Sequence, residues 1–161
     1  MEHLLTLDVN DYQIDKNKYK TPFLYETWTW EGDEHVLPYK WVTLIKLAKM
    51  NGFKDLTQEK AFNETKEMLK CSYYGKDSFD RLSFFFITCR SEVTGCAYLN
   101  VNNDNVIEYL IVNPKHFGKG VENGLFSLIY NRAKALNVEE IKVDLGKTNI
   151  KKEFFEEIGF K

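Results

Sequence analysis

The chain has 161 residues, 43% hydrophobic and 15% aromatic, enough for one buried core and too few for two comfortable domains. Its 29% charged residues nearly cancel to a net charge of -2, so no overall field draws it to nucleic acid or to an anionic membrane, and any anion site has to be local. No apolar run approaches the roughly 20 residues that a bilayer requires, and the start, MEHLLTLDVNDYQ, lacks the basic and apolar regions of a signal peptide, which points to the cytoplasm.

In chain order, Leu4 to Val9 and Phe23 to Trp30 read as strands; in the second, FLYETWTW, apolar and polar residues alternate. LPYKWVTLIKLAKMNG reads as a helix with Pro38 in its first turn, Trp41, Leu44, Ile45 and Ala48 at helical spacing, and Gly52 as C-cap. LTQEKAFNETKEMLK is a second helix, with Thr57 as N-cap and Lys60 leaving the capping box incomplete. RLSFFFITCR, TGCAYLNV and VIEYLIV follow as three strands separated by the short turns SEVTG and NNDN, an antiparallel meander. Val121, Leu125, Leu128, Ile129, Ala133 and Leu136 then draw the apolar stripe of a third helix; IKVDL is a short strand, parallel to VIEYLIV, and NIKKEFFEEIGF a last helix closed by Gly159.

The three cysteines, Cys71, Cys89 and Cys96, show no C-x-x-C spacing, which argues against a disulfide framework and against a zinc site; no metal is expected. They read as reduced and buried. Because Cys89 and Cys96 flank the turn RSEVTG, a redox pair facing across the hairpin is the alternative.

The stretch VNPKHFGKGVENGL carries the chemistry. Gly118 and Gly120 let the backbone approach a ligand, and the N–H groups at the start of the following helix offer partial positive charge, an arrangement that suits a phosphate. Such a loop is also a common structural connection. Glu122 stands about where the anion would lie. It either turns outward and gains from the helix dipole, or turns inward as an internal substitute for the phosphate.

Taken together, TGCAYLN, VIEYLIVNPKHFGKG, IKVDL and TNIKKEFFEEIGF resemble the core of the GNAT superfamily of acyl-CoA-dependent N-acyltransferases, over roughly Leu82 to Phe160. The resemblance implies an α/β fold: a mixed, mostly antiparallel central sheet with helices on both faces and a splayed parallel pair of strands. It implies a single domain, with residues 1–81 as a variable, acceptor-side half and residues 82–161 as the acyl-CoA-binding half. Acetyl-CoA, or another acyl-CoA, would be the co-substrate. Its pantetheine arm would pair with the backbone near Leu110 and Val112, and its pyrophosphate with the N–H groups from Phe117 through Gly118, Lys119 and Gly120 to Val121. Asn149 matches a position that often touches the coenzyme, and Phe155 one where a tyrosine often acts as general acid.

The match departs at four places. Phe117 replaces a basic or amide residue and Glu122 a small one, so a carboxylate comes within about 5 Å of the expected pyrophosphate. Phe155 has no hydroxyl to protonate a departing thiolate. After Lys161 the family normally adds one or two strands, so the edge of IKVDL needs a cover; EHLLTLDV is the candidate, from the same molecule or swapped within a homodimer.

For the chemistry, Glu108 is the choice for the base that takes a proton from the amine, with a solvated strand residue as the plainer alternative. By resemblance, the backbone N–H around Val112 would meet the oxyanion. His116, Lys115, Lys119, Lys147, Lys151 and Lys152 fall on segments that would flank the phosphates. In Phe23 to Tyr74, the cluster EGDE lies among aromatic residues, which suits a cationic amine, a small molecule or a protein amine, as readily as it suits a core under a polar turn. The expected function is N-acyl transfer from acyl-CoA to an amine by direct attack. The alternatives are a non-catalytic binding or assembly module with a degenerate coenzyme site, and an unrelated α/β protein whose loop is only structural.

Overall fold

A computed structural model of the chain describes residues 4–29, 63 and 81–161. The helix expected in LPYKWVTLIKLAKMNG, the helix expected in LTQEKAFNETKEMLK apart from Asn63, which is helical, the cluster EGDE, Trp30, Tyr39, Trp41, Tyr73, Tyr74, Cys71, His3 and His35 lie outside the described residues.

The strands β1 (Leu4–Asp8), β2 (Glu26–Thr29), β3 (Phe84–Cys89), β4 (Glu92–Asn100), β5 (Val106–Val112) and β6 (Glu140–Asp144) form one sheet in the order β1-β6-β5-β4-β3-β2. β5 and β6 are its parallel pair, and the other neighbours are antiparallel. The parallel pair follows from the crossover between them, which contains the helix α1 (Val121–Ala135). A second, shorter helix, α2 (Lys152–Ile158), ends at Gly159, whose φ of 126° no β-carbon-bearing residue adopts readily.

The β3–β4 turn is tighter than the sequence predicts. Arg90 and Ser91 alone make it, at φ of 51° and 68°, the paired left-handed geometry of a two-residue hairpin, so most of SEVTG belongs to β4. This register corrects the cysteine alternative: Cys89 lies opposite Glu92 and Cys96 opposite Phe86, so the two thiols do not face each other and are not joined in a disulfide.

Successive side chains in the meander point to opposite faces, and both faces are buried, which is why the strands read as almost continuous apolar runs. Phe85, Ile87, Ala97, Leu99, Ile107 and Val112 form a core with Val121, Leu125, Ile129 and Ala133 of α1 and Phe155 and Ile158 of α2. Each of the larger side chains contributes about 1.5–3 kcal/mol by leaving water, and the alanine methyls correspondingly less. On the other face Phe84 stacks against Phe86 and Tyr98, with ring centroids 5.0 and 5.6 Å apart.

β1 covers the free edge of β6 within the same chain, from Leu4 opposite Asp144 to Asp8 opposite Glu140. Its own outer edge meets the C-terminus: the Thr6 N–H donates to the Lys161 carbonyl at 3.0 Å and the Lys161 N–H to the Thr6 carbonyl at 2.9 Å. These bonds satisfy backbone groups that otherwise invite another chain to pair.

Candidate functional site

β5 does not pair evenly with either neighbour. Cys96 faces Ile111 while Tyr98 faces Glu108, so the single residue Ala97 on β4 spans Tyr109 and Leu110 on β5. This is a β-bulge, and Tyr109 carries its irregularity with a φ of 53°. A left-handed backbone on a bulky residue in mid-strand is strained and persists only where its surroundings hold it. Here the Tyr109 ring stacks on Phe84 at 6.1 Å, and the Tyr109 carbonyl accepts the Cys96 thiol at 3.0 Å. Sequence reading missed the bulge because Tyr109 to Val112 is an unbroken apolar run with neither glycine nor asparagine to mark it.

Beside the bulge β5 leaves its parallel partner. Only Val106 and Ile107 pair with β6, opposite Lys142 and Val143. The next backbone groups bond to side chains from the segment after β6: Thr148 Oγ1 donates to the Leu110 carbonyl at 2.6 Å, Asn149 Oδ1 accepts the Val112 N–H at 2.9 Å, and Asn149 Nδ2 donates to the Val112 carbonyl at 2.7 Å. The diverging edge at Leu110 and Val112, expected to meet a pantetheine arm, is thus held by Thr148 and Asn149. Val112 and Leu110 are themselves buried.

The loop from β5 to α1 is built by caps and glycines. Asn113 is buried, accepts the Lys115 N–H at 3.1 Å and donates to Glu92 at 2.8 Å, starting a 3-10 turn over Pro114–His116. Gly118 and Gly120 then take left-handed φ values of 77° and 92°, and Gly120 is the N-cap of α1. The close approach of α1 to the sheet depends on Gly95: a β-carbon there would stand 2.8 Å from Val121 Cγ1. The N-terminal segment lies over the loop, with the Tyr25 hydroxyl and His116 Nδ1 hydrogen-bonded at 2.9 Å. Burial pushes the His116 pKa down, Glu92 opposes that, and Lys119 and Lys115 add to it.

A cavity of about 430 Å³ opens where this loop meets the start of α2. Phe117, Gly118 and Asn149, three of the positions expected to bind coenzyme, line it together with Ile150 and Phe154. Its charged lining is Glu122, Lys151, Glu153 and Glu157. Lys119, Gly120 and Val121 do not line this cavity; Lys119 is exposed and Val121 is buried in the core.

Two expected residues stand elsewhere. Phe155 is 2% exposed and packs edge-on against Phe154 and Phe160, at 5.4 and 5.6 Å, so it belongs to the core, and its neighbour Phe154 takes the cavity wall. On α2 adjacent residues point about 100° apart, so a one-residue choice decides which aromatic faces the cavity. Glu108 does not line the cavity either; it lies one residue before the bulge, and its Oε1 accepts amide protons from Asn103 at 2.8 Å and Asn100 at 3.3 Å. Among the described residues no group of three or more His, Cys, Asp or Glu is placed to hold a metal ion, and no helix is long and apolar enough to cross a membrane.

Glu122 turns inward. Its Oε1 is buried with no hydrogen-bond partner among the described residues. Burial pushes its pKa up, and the backbone N–H groups of Glu122 itself and of Gly118 lie close enough to oppose that rise in part.

No family model matches the sequence, and no curated protein matches it. Among solved structures, the chain is similar to a GCN5-related N-acetyltransferase from Sphaerobacter thermophilus, with a TM-score of 0.67 and 12% identity over 98% of this chain and 47% of that one. It is also similar to glucosamine-6-phosphate N-acetyltransferase from Arabidopsis thaliana, with a TM-score of 0.50 and 13% identity over 85% of this chain and 91% of that one. The chain therefore has the fold of the GNAT superfamily, and it spans about half the length of the Sphaerobacter protein.

Proposed function

We propose that the chain is an N-acyltransferase that moves an acetyl or other acyl group from acyl-CoA to an amine. One observation carries the reading: at the Tyr109 bulge β5 leaves β6, so the edge at Leu110 and Val112 is met by side chains instead of a strand. Both similar structures are of N-acetyltransferases, which supports the reaction class.

The residues present fit the donor in part. An extended pantetheine chain suits the apolar walls Phe117, Ile150 and Phe154 and the Asn149 amide, with the bonds of Thr148 and Asn149 to β5 exchanged for bonds to the ligand. The Gly118–Gly120 backbone and Lys119 suit the diphosphate, and Glu122 opposes it. In the transfer, the amine nitrogen attacks the thioester carbonyl, a C–N bond forms, the C–S bond breaks and the coenzyme leaves as its thiolate. Glu108, held by Asn100 and Asn103, is our choice to take the amine proton. The Val112 N–H serves the oxyanion only once Asn149 releases it. Phe155 has no acidic hydrogen, so the thiolate draws its proton from water.

In this reading residues 1–81 shape the acceptor side, the acceptor is a small-molecule or protein amine, and the enzyme works in the cytoplasm. A second reading, a non-catalytic module of the same fold, is favoured by the Glu122 carboxylate in the loop's cradle. A thermal-shift titration with acetyl-CoA, followed by thiol release with a panel of amines, separates the two. The enzyme shows a saturable rise in Tm that follows ligand concentration and amine-dependent thiol release; the module shows neither.

A further inference from the structure

A glutamate in the first turn of a helix normally gains from the dipole while keeping its hydration. Glu122 keeps it only in part. One of its oxygens is buried beside a cavity, without a partner among the described residues, and its charge lies near the Gly118 N–H. Leaving a buried acceptor unmatched is unfavourable, so the carboxylate rests in a place whose own field favours an anion. That place is the loop of Gly118 and Gly120, both left-handed, at the start of α1.

We propose that Glu122 is an anion gate: its carboxylate holds the place of a donor phosphate beside Gly118, and it has to lose its charge or swing out before the diphosphate of acyl-CoA enters. The inference rests on the acyl-CoA reading above. The gate acts on the phosphate end of the donor alone, because the pantetheine arm carries no charge for Glu122 to repel.

The surroundings set the direction of the response. The N-terminal segment supplies Tyr25, whose phenol is held protonated by burial first and then by nearby groups, Glu122 among them. The loop supplies His116, bonded to Tyr25, and the exposed Lys119. The start of α2 supplies Lys151, Glu153 and Glu157, the last bonded to Lys18 at 3.0 Å. Burial, the largest influence, raises the Glu122 pKa. Acidification therefore discharges Glu122 at a higher pH than it would a surface glutamate, and CoA binding tightens as pH falls.

The test compares CoA with pantetheine, which lacks the diphosphate. Dissociation constants of both are measured calorimetrically for the wild type, Glu122→Gln and Glu122→Ala, at about pH 5.5 and about pH 7.5. Two charges roughly 5 Å apart, even when largely screened by water and salt, repel strongly enough that the gate is worth at least about tenfold in affinity. At the higher pH both variants should bind CoA about tenfold more tightly than the wild type, the gap should narrow at the lower pH, and pantetheine should bind all three proteins alike. His116 is kept in every protein, so any change in its charge is common to all three and the comparison isolates Glu122. Binding of CoA by the variants alone supports the gate in its fully closed form. Equal CoA affinity for all three proteins at both pH values overturns the gate and leaves the acyl-CoA reading standing. If no protein binds either ligand, the acyl-CoA reading falls and the gate with it.

Discussion

Asn149 holds both polar groups of the Val112 backbone, accepting its N–H at 2.9 Å and donating to its carbonyl at 2.7 Å, across a sequence separation of 37 residues. One side-chain amide thus does at this edge what a neighbouring strand does elsewhere in the sheet. The bond pair ties the site to stability. Asn149→Ala leaves two buried groups unmatched and should lower the unfolding free energy by about 2 kcal/mol, read by urea denaturation. Asn149→Asp still accepts from the N–H but cannot donate to the carbonyl when ionised, so its loss should not fall below that of a single missing bond.

The glycines of the site should respond differently to alanine. Gly95→Ala places a β-carbon 2.8 Å from Val121 Cγ1 and 3.2 Å from the Ile111 carbonyl, in a core that has little room to shift, and should cost about 1–3 kcal/mol. Gly118→Ala meets nothing within 4 Å; only its φ of 77° resists, for about 1–2 kcal/mol. Thermal melts of both variants check the order.

Glu122 should make folding stability depend on pH. Its pKa in the folded chain is raised above the ordinary value of 4.5, chiefly by burial. Its contribution to stability is therefore fully present below the ordinary value and is lost as pH rises through the raised one. Glu122→Gln should melt higher than the wild type at neutral pH, and the difference should shrink on acidification toward the ordinary glutamate range. Melting curves of the two proteins across that range give the answer.

His116 should act in the opposite sense. Its pKa is pushed below 6.5, first by burial, so the stability linked to the neutral ring is present above the ordinary value and is lost as pH falls through the lowered one. His116→Asn should flatten that part of the pH–stability profile. Tyr25→Phe, which removes the hydroxyl bonded to Nδ1, should weaken the hold of the N-terminal segment on the loop, seen as faster amide exchange around Tyr25.

Much of this was legible in the sequence, because local rules govern it. The strand and helix order from Phe84 to Ile158, the helix stripe of Val121, Leu125, Ile129 and Ala133, and the glycines of the loop follow from periodicity and backbone freedom. β1 covering β6 was anticipated from the exposed edge. The bulge at Tyr109 was not, since only its register with β4 reveals it. The partner of Asn149 depends on where two distant segments meet, and no spacing rule carries that. The direction of Glu122 was left between two readings because the helix dipole favours its charge in either orientation; burial at the cavity decides it. The choice between Phe154 and Phe155 failed because adjacent helical positions are separated by rotation, which a motif frame does not fix.

The most direct test of the account is a calorimetric titration of acetyl-CoA into the wild type and Asn149→Ala at mildly acidic pH, where Glu122 opposes binding least. Saturable one-to-one binding by the wild type, weakened in Asn149→Ala while that variant stays folded, is the predicted result. An absence of binding, or binding that ignores Asn149, would contradict the claim that the diverging edge of β5 receives the acyl donor.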